Sequence, residues 1–95
     1  MFKQEITIQS RNDFTSRYIN RFVYAISNLL SIATILSTKT DRQANAKSIL
    51  GLLSMDIKKG DTLKIVVYNN ISQKQADDDI ETIRKIFKTQ SDVFK

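Results

Sequence analysis

Any chemistry done by this chain has to come from hydroxyls, carboxylates and cations, because the 95-residue sequence contains neither histidine nor cysteine. Imidazole general-base catalysis, thiolate nucleophiles, disulfides and thiolate metal sites are excluded on that ground. A metal would have to be held by carboxylates alone, and no metal or cofactor is expected. Two hydroxyls stand out by position. Ser48 directly precedes the apolar run Ile49-Leu50-Gly51-Leu52-Leu53-Ser54-Met55, and Thr15 lies in the polar stretch ahead of an apolar stripe that begins at Ile19. A serine or threonine before a helical run accepts a backbone N–H bond and caps the helix, worth about 1 kcal/mol. A phosphate on Ser48 would sit at the positive end of a helix dipole with Lys47 adjacent, so the position tolerates phosphorylation. Thr15 has no neighbouring base to activate it as a nucleophile and reads as a loop or capping residue. Arg17 lies beside the same helix start, where backbone N–H groups and a guanidinium both favour an anion.

The elements that position these residues follow from periodicity. Residues 2–9 alternate, with Phe2, Ile6 and Ile8 on one face of a strand. Ile19, Phe22, Val23, Ile26, Leu29 and Leu30 form one stripe of a helix, capped by Asp13, Thr15 or Ser16. Ile32 to Ser37 is a β-branched strand, followed by a turn at 38–41 and a short return strand, Arg42-Gln43-Ala44. Ser48 opens a second helix, Ile49 to Met55, that is apolar nearly all round. Ile49 and Leu52 are assigned to the core; Leu50, Leu53 and Met55 are assigned to an exposed patch. Lys58 to Asp61 is a turn, and Thr62 to Tyr68 is the strongest strand, with Leu63, Ile65 and Val67 inward. Ser72-Gln73-Lys74-Gln75 has capping-box spacing. It opens a third helix marked by Ala76, Ile80, Ile83, Ile86 and Phe87, with Asp77, Asp78 and Asp79 in its first turns. The order β-α-β-β-α-β-α predicts an α+β open-faced sandwich, three helices covering one face of a four-stranded, mostly antiparallel sheet.

Length predicts one domain over residues 1–95, with its core at 2–87 and a tail at 88–95. No proline and two glycines argue against an internal linker. The start of the chain lacks the apolar run of a signal peptide, and no stretch approaches the roughly 20 apolar residues of a membrane span. A soluble cytoplasmic protein is expected. The net charge is +5, and the excess lies in residues 1–64. A basic body attracts acidic proteins or nucleic acid.

Asn45 to Met55 closely resembles the regulatory-serine segment of the HPr family, small phosphocarriers of the bacterial sugar phosphotransferase system, and the element order is nearly colinear over residues 2–87. A weaker match lies at Phe14-Thr15-Ser16-Arg17-Tyr18. There the family reads small or apolar, His, Ala, Arg, Pro. Phe14 fits the apolar position and Arg17 the arginine; Thr15 occupies the histidine position and Tyr18 replaces the proline. The chain is closest in kind to the family's histidine-lacking, catabolite-repression branch. A threonine phosphate is a stable ester with a poor leaving group, so Thr15 is no phosphocarrier. The resemblance implies a non-catalytic regulator or adaptor of sugar uptake or catabolite control. It implies regulatory phosphorylation at Ser48, an anion site at Arg17, and protein docking through helices one and two at Leu50, Leu53 and Met55. The rival expectation is a small basic nucleic-acid-binding domain with Tyr18, Tyr24 and Tyr68 as stacking groups.

Overall fold

Alternation in the strands decides how the layers of this protein are built. The computed structural model describes residues 1–89, in the order β1 (Phe2–Gln9), α1 (Ser16–Ile26), β2 (Ile32–Ser37), β3 (Gln43–Asn45), α2 (Ile49–Met55), β4 (Thr62–Asn69) and α3 (Gln73–Thr89). The sheet runs β1-β4-β2-β3, and each neighbouring pair is antiparallel. β4, with the most continuous β-branched run, takes a central place. Rows cross the sheet in register, Ile6 to Ile65 to Ile35 and Gln4 to Val67 to Ala33. Leu63, Ile65 and Val67 are fully buried against Ile19, Phe22 and Ile26 of α1, Leu52 of α2 and Ile83 of α3. Side chains on alternate positions, among them Lys3, Lys64, Val66 and Tyr68, form the uncovered face of the sheet.

α1 and α3 are joined by rings. The centroids of Phe22 and Phe87 lie 5.1 Å apart, and those of Phe14 and Phe87 6.1 Å. α3 starts as its spacing predicts, with Ser72 Oγ accepting the Gln75 N–H at 3.0 Å.

Three details depart from the expectations. α1 stops at Ile26, where the Ser27 N–H turns back to the Tyr24 carbonyl, so Leu29 only abuts the core and Leu30 is 64% exposed. β3 begins at Gln43, because Asp41 adopts a left-handed φ of 60° and Arg42 closes that turn by accepting the Ser37 N–H. Of the expected tail, residues 88 and 89 belong to α3, and 90–95 lie outside the described residues. Among the described residues no helix is long and apolar enough to cross a membrane.

Candidate functional site

The start of α1 is fixed by a threonine and braced by a distant turn. Thr15 is extended (φ −72°, ψ 163°), and its Oγ1 accepts the Tyr18 N–H at 3.1 Å while its carbonyl accepts the Ile19 N–H at 2.9 Å. Its hydroxyl is thus a helix cap. The loop before it is held by the segment between α2 and β4. The Phe14 N–H donates to the Ile57 carbonyl, the Ser10 N–H to the Asp61 carbonyl, and the Lys59 N–H to Asp13 Oδ1 at 2.7 Å. Gly60 has φ 95°, a conformation that disfavours any side chain, and its N–H donates to the Ser10 carbonyl. Asp61 anchors the turn by accepting the Lys58 N–H at 2.9 Å and the Lys39 ammonium at 3.2 Å. The Lys58 N–H, and then the Lys39 cation, hold its carboxyl below the ordinary carboxylate range.

Thr15, Ser16 and Arg17 are exposed on this platform. Among the described residues no carboxylate is hydrogen-bonded to the Thr15 hydroxyl. Tyr18 corrects an expectation: it is 2% exposed, with its ring 5.0 Å from that of Phe14, and is unavailable for stacking on a base. The three tyrosines lie in different places. Tyr18 is in the core, Tyr24 is on the surface of α1 at 83% exposure, and Tyr68 is on the open sheet face.

Ser48 is the N-cap of α2, its Oγ accepting the Gly51 N–H at 3.0 Å. A Cβ on Gly51 would meet Ala44 Cβ and Ser48 Oγ at 3.1 Å, so the glycine lets the helix start lie close against β3. The adjacent cation expected to serve a phosphate is anchored elsewhere: Lys47 Nζ donates to the Leu29 carbonyl at 2.7 Å. The far end of α2 is closed by Asp56 in the left-handed conformation and by Arg42, whose Nη1 donates to the Ser54 carbonyl at 2.9 Å.

The outer face of α2 differs from the expectation in two residues. Leu50 is 79% exposed and Leu53 39%, as assigned. Met55 is buried, because Leu52, Met55 and Ile57 form the stripe that enters the core. Ile49, assigned to the core, is in the first turn and remains partly exposed at its margin. The outward apolar group is therefore Ile49, Leu50 and Leu53. α1 packs beside α2 and turns Arg17, Asn20 and Tyr24 outward. Arg11, Arg84 and Lys88, none of them among the expected site residues, line a pocket at the end of α3. The signal that could have found two of them is the four-residue spacing of Arg84 and Lys88 on one helix face. Among the described residues no group of acidic side chains could hold a metal ion.

Residues 2–89 match the family PTS-HPr, described as the PTS HPr component phosphorylation site. Among solved structures the chain is similar to HPr-C-His from Thermoanaerobacter tengcongensis, at 23% identity and a TM-score of 0.75, over 90% of this chain and 92% of that one. It is similar to a phosphocarrier protein HPr from Bacillus anthracis str. Ames, at 21% identity and a TM-score of 0.76, over 90% and 96% of the two chains. A histidine-containing phosphocarrier protein of Mycoplasma shares 26% identity with a TM-score of 0.68, over 92% and 93%. No curated protein sequence matches the chain.

Proposed function

The chain belongs to the HPr phosphocarrier family of the phosphotransferase system, and from that premise we propose that it works as a non-catalytic adaptor or regulator in sugar uptake or catabolite control. The observation that carries this reading is a capping threonine at the start of α1 in a chain without histidine. Family members transfer a phosphoryl group from a labile P–N bond. A phosphate on the Thr15 hydroxyl would be a stable ester with a poor leaving group, unsuited to onward transfer. What remains is binding. Leu50 and Leu53, with Ile49, offer an apolar face on α2, and Arg17 a cation at the start of α1. Exposed apolar groups gathered on one element mark a docking site. Ser48 is the residue whose phosphorylation would switch that face, since it opens the helix that carries Leu50 and Leu53.

The nucleic-acid reading loses support from the placement of the tyrosines, which share no face. The basic charge then serves an acidic protein partner. The test has two arms. With phosphoenolpyruvate and the first enzyme of the phosphotransferase system, the protein acquires no acid-labile phosphate; appearance of such a phosphate overturns the non-catalytic role. In capture from the native host, Leu50→Ala with Leu53→Ala loses the partner. Tight binding of random RNA or DNA at physiological salt, abolished by charge reversal at Arg17, Lys47, Lys58 and Lys59, would replace the adaptor by a nucleic-acid binder.

A further inference from the structure

We propose that the open pocket between the end of β1 and the C-terminal end of α3 binds the phosphate group of a small phosphorylated metabolite. The pocket has a volume of about 420 Å³, within the range of small-ligand sites, and is lined by Ile8, Gln9, Arg11, Arg84, Phe87 and Lys88. Among the described residues of the lining, three are cations and none is an acid. Arg84 and Lys88 are four residues apart on α3, a spacing at which like charges repel. An anion between them removes that repulsion. The negative end of the helix dipole accounts for Lys88 in the last turn. It does not account for Arg84, a turn earlier, or for Arg11, which comes from the loop after β1.

Each cation has donors to give. Arg11 Nη1 donates to the Lys88 carbonyl, which fixes its guanidinium against the helix end. A guanidinium carries five N–H donors, and this contact uses one. Arg84 Nε is 3.2 Å from Glu81 Oε1, but both side chains are nearly half exposed, and such a surface pair is weak. Among the described residues the Lys88 ammonium has no partner. Arginine forks suit the paired oxygens of a phosphate. Ile8, half-buried, and Phe87, buried, give the pocket an apolar floor. That lining favours a phosphate monoester with an organic body over a bare inorganic anion. The site is separate from the α1–α2 docking face, and Phe87 connects it to the start of α1 through Phe14, the residue before Thr15.

The test is an amide NMR titration at fixed ionic strength with phenyl phosphate, glycerol 3-phosphate and inorganic phosphate as probes. The two organic phosphates give saturable shifts at residues 8–11 and 84–88 and bind more tightly than inorganic phosphate. Arg84→Gln with Lys88→Gln weakens phenyl phosphate about tenfold, with an unchanged melting temperature because both side chains are on the surface. Lys88→Gln alone gives a smaller loss in the same direction. Absence of saturation up to about 20 mM probe, shifts that persist in the double variant, or an equal response to all three anions would overturn the site, the last marking an adventitious ion only. These outcomes leave the docking face untouched, so failure here is distinguishable from failure of the adaptor role.

Discussion

The carboxylate of Asp79, buried in α3, accepts the backbone N–H of Ser31 at 2.9 Å, across 48 residues of chain. Its other oxygen accepts the Gln75 amide at 2.8 Å. Ser31 Oγ in turn accepts from the Asn69 amide, and Asn69 Oδ1 accepts the N–H groups of Ile71 and Ser72. One polar chain thus ties the α1–β2 joint, the end of β4 and the start of α3. Asp79→Leu strips the acceptor from a buried N–H and is expected to cost about 1–3 kcal/mol. Asp79→Asn keeps an acceptor oxygen and costs less. Urea midpoints measure both; an equal loss in the two variants would show that the charge, not the acceptor, holds the joint.

Phe22 has no exposed surface, and its ring lies within 6.5 Å of those of Phe14, Tyr18 and Phe87. Phe22→Ala leaves a cavity where α1 meets α3 and should cost about 3–5 kcal/mol. Tyr24→Ala, at an 83% exposed position on the same helix, is the control and should stay within about 0.5 kcal/mol. Thermal melts of the pair check the helical phase; similar melting temperatures would refute it.

Where one face of an element is polar, its side could be read from the residues alone. β4 declares itself by Leu63, Ile65 and Val67, and α3 by the Ser72 cap and the stripe from Ala76 to Phe87. α2 gave no such contrast. With Ile49, Leu50, Leu52, Leu53 and Met55 in seven residues, only packing against α1 and β3 decides that Met55 goes in and Ile49 stays at the margin. Tyr18 carries a polar tip and reads as surface, yet the rings of Phe14 and Phe22, four residues away on either side, draw it inside. The capping hydroxyls of Ser48 and Ser72 were legible, because a cap is local, and Thr15 was one of three candidates with Asp13 and Ser16. The brace at 57–61, the anchoring of Lys47 on Leu29 and the meeting of Arg11 with the end of α3 join distant segments, and no periodicity reports them.

Ser48 serves the fold whether or not it is modified. Ser48→Ala removes the acceptor for the Gly51 N–H and should cost about 1 kcal/mol, whereas Ser48→Asn preserves the cap at nearly full stability. Neither variant can be phosphorylated at that position. If regulation acts through a Ser48 phosphate, both lose the regulatory response, while only Ser48→Ala loses stability. A response that tracks the melting temperature would assign Ser48 to capping alone.

Asp61 ties the brace beneath Thr15 to pH. The Lys58 N–H, and then the Lys39 ammonium, depress its carboxyl below the ordinary value of 3.8 in the folded protein. A depressed folded pKa contributes stability above the unfolded value, and that contribution is lost as pH falls through the lower folded value. Asp61→Asn should therefore be less stable than the wild type at pH 7. The gap should begin to close below about pH 4, as the wild-type carboxyl takes up its proton, and nearly vanish in stronger acid. Denaturant midpoints across that range measure it. A gap that stays constant with pH would mean that Asp61 holds the turn by shape and hydrogen-bond geometry, with its charge contributing nothing to the platform on which Thr15 caps α1.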